Sequence, residues 1–116
     1  MKTYQYKNWV YNGQLMWVGI DPPTHEEFKD KENVMLEIKK LIQKDARAAL
    51  LAATDWTELP SQDKPEWVAW RQAVREWKQA DVDCPIPPNE NEYCLQEIWD
   101  LEAHKPKLIV EFENKI

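Results

Sequence analysis

The sequence predicts an α+β fold that is mainly helical, and three observations support this prediction. Asn12-Gly13 lies between two runs of aromatic and β-branched residues, which is typical of a β-hairpin. Apolar residues recur at spacings of three and four through residues 34–52, as they do on one side of a helix. A second helical pattern follows the break at Leu59-Pro60. We therefore expect a small β-hairpin, a long helix and an antiparallel helical hairpin.

The length of 116 residues indicates one compact domain, which we divide into three segments. Residues 1–22 are predicted to form the β-hairpin. Residues 23–80 are predicted to form the long helix and the helical hairpin. Residues 81–116 are predicted to form a proline-rich connector, a short helix and a C-terminal strand. We see no internal repeat and no low-complexity segment.

In the β-hairpin, a two-residue loop of Asn12-Gly13 places Tyr11 opposite Gln14 and Trp9 opposite Met16. With this register, neither face of the hairpin is plainly polar. An isolated two-stranded hairpin is only marginally stable in water. We therefore expect this one to pack on a helix, to gain a third strand or to contact another protein.

The long helix is expected to begin after Thr24, because Thr24 and Glu27 fit a capping box. It should run to about Ala53, with a bend near residues 31–33. Its main apolar stripe consists of Val34, Met35, Ile38, Leu41, Ile42, Ala46, Ala49 and Ala52. Three further leucines lie on the other side: Leu36, Leu50 and Leu51. We therefore expect this helix to be covered from two directions.

The helical hairpin consists of the end of the long helix and a second helix with Pro65 in its first turn, capped by Ser61 or Asp63. A stripe of large apolar residues marks the second helix: Trp67, Trp70, Val74 and Trp77. Short connections between helices usually make them antiparallel neighbours. Trp56 lies at the corner and is expected to wedge between the two helices.

The C-terminal segment combines a connector, a helix and a strand in our prediction. Residues 80–91 contain three prolines and should be extended. A short helix over residues 92–103 is expected to bury Leu95, Ile98 and Trp99. The β-branched and aromatic run at residues 107–113 predicts a strand. This strand either joins the N-terminal hairpin or pairs with a partner as an exposed edge.

Composition excludes several classes of function. The chain has 15 Lys and Arg against 21 Asp and Glu, with a net charge of −6, so we expect no nucleic-acid partner, because that affinity depends on clustered positive charge. We also expect no secretory signal and no membrane span. Two cysteines are too few for a secreted disulfide framework. The seven tryptophans favour a role in protein interfaces, since tryptophan is common in their cores.

The sequence offers little for catalysis or metal binding. His25 and His104 are far apart and have no nucleophile or metal-type spacing around them. Cys84, Cys94 and His104 are separated by ten residues each, whereas zinc ligands usually come in close pairs. We therefore expect no enzyme activity, no catalytic residue, no metal site and no cofactor.

A distinctive string of residues spans the predicted helical hairpin, from Arg47 to Arg75. It reads Arg-x-x-Leu-Leu-x-x-Thr-Asp-Trp-Thr-x-Leu-Pro and continues as Trp-x-x-aromatic-Arg-Gln-x-x-Arg. We call it the 47–75 motif; it resembles the tail assembly chaperone and tail fibre assembly proteins of tailed bacteriophages. The residues that carry the resemblance include Leu50, Leu51, Thr54, Asp55, Trp56, Trp67 and Gln72. Together with Trp70, which stands where the family has Tyr, they form the predicted structural motif.

The resemblance implies a non-enzymatic protein that assembles phage tails or tail fibres in the host cytoplasm. Its expected partners are other tail or tail fibre proteins, and a homo-oligomer is an open option. Two alternatives remain: a structural component of the virion tail, and a carbohydrate-binding tail module that uses Trp9, Trp17 or Trp99. The residues that we expect to contact a partner are Trp9, Trp17, Arg71, Arg75 and Trp77.

Arg71 and Arg75 lie one helical turn apart and admit two interpretations. As structural residues, they form ion pairs with Asp55 or Glu58 across the helical hairpin, or they stack on a tryptophan. As functional residues, they form a polar rim around an aromatic docking surface. The sequence does not decide between the two.

Overall fold

The computed structural model describes residues 2–115. Two residues of the predicted segments lie outside this range: Met1, the first residue of the first segment, and Ile116, the last residue of the third. Its helices are α1 (His25–Lys29), α2 (Lys31–Ala53), α3 (Pro65–Glu76) and α4 (Lys107–Lys115). Its strands are β1 (Tyr4–Tyr6), β2 (Trp9–Tyr11), β3 (Leu15–Trp17), β4 (Trp99–Asp100) and β5 (Lys105–Pro106). Short 3-10 helices occupy Asp55–Glu58 and Tyr93–Leu95. The predicted α+β, mainly helical fold class is confirmed.

The N-terminal sheet is antiparallel, but its register differs from the predicted one by one residue. Tyr11 lies opposite Leu15, and Trp9 lies opposite Trp17. The loop therefore has three residues, 12–14, in which Gly13 adopts a positive φ of 104°. A slip of one residue moves a side chain to the other face of a sheet. The observed register places both tryptophans on one face, with their rings 5.1 Å apart in an edge-on arrangement.

The third strand of this sheet is β1, in the order β1-β2-β3, and it comes from the same N-terminal run. The predicted C-terminal strand at residues 107–113 was wrong, because these residues belong to α4. Ile109 and Phe112, three residues apart, are both buried in the core. Phe112 packs edge-on against Tyr11 at 5.3 Å. The burial of Ile109 and Phe112 on one side of a helix stabilises this segment more than the β-propensity of residues 107–113 favours a strand.

The predicted helix over residues 92–103 was also wrong. After the 3-10 helix Tyr93–Leu95, the chain forms β4, a turn and β5, which pair as a short antiparallel hairpin. Asp100 favours the turn, because its carboxylate accepts hydrogen bonds from the backbone NH groups of Glu102 and Ala103. The predicted apolar residues are nevertheless inside, since Leu95 and Trp99 are buried and Ile98 is half-buried.

The long helix is interrupted once. Its predicted capping box is confirmed, with Thr24 and Glu27 each accepting a hydrogen bond from the other's backbone NH. The break falls at Asp30, between α1 and α2, just before the predicted bend. The buried residues of α2 are Val34, Ile38, Ile42, Gln43, Ala46 and Leu50. Leu36, Leu41 and Ala52, which were predicted to be covered, are exposed.

The molecule is elongated, with dimensions of 57 × 23 × 21 Å and a radius of gyration of 16.7 Å. A compact domain of this length has a radius of gyration of roughly 13 Å. One cluster of buried side chains nevertheless contains residues of all three segments, for example Tyr4, Val34 and Phe112. Within residues 2–115, no helix combines the length and the apolar character needed to cross a membrane.

Candidate functional site at the helical corner

The 47–75 motif forms the corner at which α2 ends and α3 folds back beside it. Two buried threonines stabilise the turn between the helices. The Thr54 hydroxyl donates to the carbonyl of Leu50 at 2.7 Å, and the Thr57 hydroxyl donates to the carbonyl of Thr54 at 2.7 Å. Each of these carbonyls also accepts a backbone NH, from Thr54 and Thr57 respectively, so the hydroxyl bonds reinforce the turn at the end of the helix.

Arg71 reaches from α3 into this turn and is only 3% exposed. Its Nη1 donates to the carbonyl of Leu51 and to the hydroxyl of Thr54, the latter at 2.7 Å. Its Nη2 donates to the Asp55 carboxylate at 2.8 Å. One planar guanidinium therefore connects three consecutive features of the corner: the last turn of α2, the buried threonine and the exposed carboxylate.

Glu58 links the two arginines of the corner. Its carboxylate lies 3.3 Å from Arg71 Nε and 3.3 Å from Arg75 Nη2. The interaction with Arg71 lowers the pKa of Glu58, and Arg75 adds to the effect against the opposing influence of burial. The structure thus contains the ion pairs across the helical hairpin that we expected if Arg71 and Arg75 are structural residues.

The outer side of α3 carries a weaker polar rim. Gln72 donates to the Glu76 carboxylate at 2.9 Å, one turn further along the same helix. Arg75 donates to the side-chain oxygen of Gln72 at 3.4 Å, and its own side chain is 40% exposed. Because these groups are in contact with water, they contribute much less to stability than the buried Arg71 does.

The aromatic residues of the motif pack as predicted. Trp67 and Trp70 are buried, and their rings meet edge-on at 5.6 Å. Trp56 is half-buried, and its ring lies 6.1 Å from that of Trp67, so it wedges at the corner. On α2, Leu50 is buried and Leu51 is half-buried.

The indole NH groups hold the irregular connector in place, which the sequence did not predict. Trp70 Nε1 donates to the carbonyl of Pro85 at 2.9 Å, and Trp77 Nε1 donates to the carbonyl of Val82 at 2.7 Å. Arg47, at the start of the motif, donates to the carbonyl of Trp77 at 2.8 Å. Chemistry could have predicted these bonds, because a buried indole NH needs a hydrogen-bond acceptor and an extended connector has free carbonyl groups.

The residues expected to contact a partner fall into two groups. Trp9, Trp77 and Arg71 are at most 5% exposed and contact their own chain, so in this conformation they present almost no surface to a partner. They are buried because each supports the packing of the sheet, the connector or the corner. Trp17 is half-buried, and Arg75 is exposed. These two retain surface that a partner can reach.

The histidines and cysteines lie apart from the corner's polar network, with one exception. Trp56 Nε1 lies 3.4 Å from the sulfur of Cys94. Burial and the charge of Asp83 raise the pKa of the Cys84 thiol to about 12, so this thiol resists ionisation. Across residues 2–115, no three His, Cys, Asp or Glu side chains are grouped closely enough to hold a metal ion.

The carboxylate of Glu90 organises the C-terminal hairpin. It accepts a hydrogen bond from Trp99 Nε1 at 3.0 Å and lies 2.7 Å from His104 Nδ1. The contact with His104, followed by that with Trp99, lowers the pKa of Glu90. Trp99 itself is 2% exposed, and its indole is therefore part of the core.

The corner is a closed network within the chain. Arg71 and Arg75 pair with carboxylates of the same corner, and the indoles of Trp56 and Trp70 bond to groups of the same chain. Comparisons with protein-family models, with curated proteins and with solved structures found no match. What the corner can do chemically is to fix two helices and a connector in one arrangement, and any partner must therefore bind to what this arrangement leaves exposed.

Proposed function

We propose that this chain is a bacteriophage tail or tail fibre assembly protein that acts by binding other tail proteins and not by bond chemistry. The proposal is carried by the resemblance of the 47–75 motif to the phage assembly proteins. Three polar residues of that motif belong to one bonded unit, since Arg71 contacts both Thr54 and Asp55.

The exposed surface supports a binding role. Many large apolar side chains remain at least one third exposed: Met16, Val18, Ile20, Phe28, Leu36, Leu41, Leu59, Val68, Val82, Ile86, Tyr93 and Leu101. Val18 and Ile20 lie together with Trp17 in one surface cleft, and apolar side chains grouped in this way mark sites where another protein can bind. An assembly factor needs such a surface in order to cover an apolar segment of its partner until the partner is assembled.

A permanent place in the tail is the second candidate, and the elongated shape favours it. A body of 57 × 23 × 21 Å has more surface for its volume than a sphere has, which suits a chain with neighbours along its length. The carbohydrate alternative loses two of its three candidate tryptophans. Trp9 and Trp99 are 5% and 2% exposed, so they cannot form an open platform for a sugar ring.

Mass spectrometry of purified particles of the encoding phage tests the proposal together with disruption of the gene. An assembly factor is expected in the lysate of infected cells and absent from particles, and its loss should leave particles with missing or shortened tails. Stoichiometric presence in particles indicates the structural candidate. Normal, infectious tails in the absence of the chain would overturn both candidates.

A further inference from the structure

An apolar groove of about 690 Å³ lies between the tip of the β2–β3 hairpin, the start of α2 and the end of α4. Its apolar lining consists of Tyr11, Leu15, Met35, Leu36 and Phe112. Leu36 is 49% exposed, although the stripe pattern predicts that this side of α2 is covered. The groove is therefore a place where the helix lacks an apolar neighbour among the described residues.

Lysines surround this groove. Lys31, Lys39 and Lys115 line it, together with Glu32 and Glu113. The charge of Glu113 is already met by Lys105, whose Nζ lies 3.0 Å from its carboxylate. The chain as a whole carries a charge of −6, so it repels an acidic partner over most of its surface. The lysine rim outweighs Glu32 and Glu113 and gives the groove a small local excess of positive charge, which favours an acidic occupant.

The outer edge of β3 begins at Leu15, which lines the same groove. Within the described sheet, β3 pairs only with β2. Val18 N donates to Asn8 O at 2.9 Å, so this pair is a hydrogen-bonded one. Because such pairs alternate along antiparallel strands, the backbone groups of Leu15 and Trp17 point away from β2. An unpaired edge of this kind can accept a further strand.

We propose that the groove and the β3 edge bind an extended segment of a partner protein that is apolar where it fills the groove and acidic where it meets the lysine rim. Backbone pairing with β3 holds the segment, apolar side chains fill the space beside Leu15 and Leu36, and Lys31 and Lys39 attract its carboxylates. The inference rests on the proposed function, which is the reason for expecting a protein as the partner. The groove proposal can nevertheless be wrong while the proposed function is right.

The test uses a display library of random octapeptides selected on the full chain, followed by calorimetric titration of the synthetic consensus peptide. We expect selected peptides to combine acidic and large apolar residues. The variants Leu36→Glu and Lys39→Glu should each weaken binding by at least about tenfold, because the first puts a charge into the groove and the second reverses the rim. Methylation of alternate backbone nitrogens in the peptide should abolish strand pairing and binding.

The matched control is Leu101→Glu, which alters a leucine that is 50% exposed and not part of the groove. Its affinity should stay within about twofold of the wild type. If Leu36→Glu does not fold, as judged by circular dichroism, Lys39→Glu carries the test. Selection of no peptides, equal binding of acidic and basic peptides, or equal losses in Leu36→Glu and Leu101→Glu would overturn the inference.

Two other occupants are outcomes that also contradict the proposal. Unchanged affinity of the methylated peptide indicates an occupant that its side chains alone hold in the groove, without strand pairing. Dimerisation in analytical ultracentrifugation that Leu36→Glu abolishes in the absence of peptide indicates a second copy of the chain. If no peptide binds but disruption of the gene still removes tails, the groove proposal fails and the proposed function stands.

Discussion

Arg71 illustrates how a single buried cation can organise a corner between helices. It is 3% exposed and bonds to the Leu51 carbonyl, the Thr54 hydroxyl and the Asp55 carboxylate. A guanidinium presents several donors in one plane, so it can serve three acceptors that a lysine ammonium cannot reach together. Arg75, one turn later, makes only exposed contacts with Glu58 and Gln72. The two arginines therefore form a natural pair for comparison.

We expect Arg71→Met to lower the free energy of unfolding by about 2–4 kcal/mol, because it leaves the buried Thr54 hydroxyl oxygen without a donor and removes the bonds to Leu51 and Asp55. Arg75→Met should cost about 0–1 kcal/mol, as is usual for exposed ion pairs. Urea denaturation followed by circular dichroism measures both values. Equal losses in the two variants would show that Arg71 has no special role in the corner.

For individual residues, the sequence was a better guide to which side chains are buried than to which hydrogen bonds they make. The spacing of Trp67, Trp70 and Val74 was sufficient to place them inside, because helical periodicity determines which side chains share a face. The carbonyl acceptors of Trp70 and Trp77 could not be predicted. They belong to a connector without periodicity, whose path depends on the finished packing of the helices.

Among the secondary-structure elements, the N-terminal hairpin and α4 show where local signals are insufficient. Asn12-Gly13 fits loops of two or three residues, since both can use a glycine with positive φ. The three-residue loop brings Trp9 and Trp17 together on the core face. For α4, the β-branched run is compatible with a strand, and burial of a helical stripe against α2 decides for a helix.

Gly19 allows a test of how the end of the sheet is held. A Cβ atom at this position would lie 2.8 Å from three atoms of the Trp17 ring, so the indole must move in Gly19→Ala. That movement strains the bond from Trp17 Nε1 to the carbonyl of Asp21, now 2.7 Å. We expect a loss of about 1–3 kcal/mol in the free energy of unfolding, measured by urea denaturation.

A double-mutant cycle separates this clash from a general effect of the added methyl group. Trp17→Leu removes the indole atoms that the methyl group meets, because a leucine side chain ends at the δ position. In the Trp17→Leu background, Gly19→Ala should therefore cost less than it does in the wild type, by about 0.5 kcal/mol or more. Additive costs would contradict a direct contact between the two positions.

For the whole molecule, three carboxylates at separate places couple folding to pH. The pKa values of Asp45, Glu58 and Glu90 are all lowered in the folded state. At Asp45, partial burial acts to raise the pKa, but hydrogen bonds from Lys2 and Tyr4 outweigh it. A carboxyl group with a lowered folded pKa binds protons more readily in the unfolded chain, so its contribution is present above its unfolded pKa and is lost as pH falls.

We therefore expect stability to decrease as the pH falls from about 6 to about 3, because unfolded carboxyl groups have pKa values near 4. The triple variant Asp45→Asn, Glu58→Gln, Glu90→Gln should be less stable at pH 7 and show a shallower decrease. Urea denaturation across this pH range provides the measurement. The control, Glu97→Gln, alters an exposed carboxylate for which the structure describes no ion pair, and it should keep the wild-type slope. Parallel slopes in all three proteins would contradict the prediction.

The closed network of the helical corner also determines what can be inferred when the 47–75 motif occurs in another sequence. Thr54, Asp55 and Arg71 are constrained by one another, so the string is a folding signature of a particular turn between helices. A protein that shares it is expected to share the corner, whichever molecule it binds. Differences in partner choice among such proteins must then be encoded in exposed positions, within the motif as at Arg75 or outside it, that can vary while the buried corner stays the same.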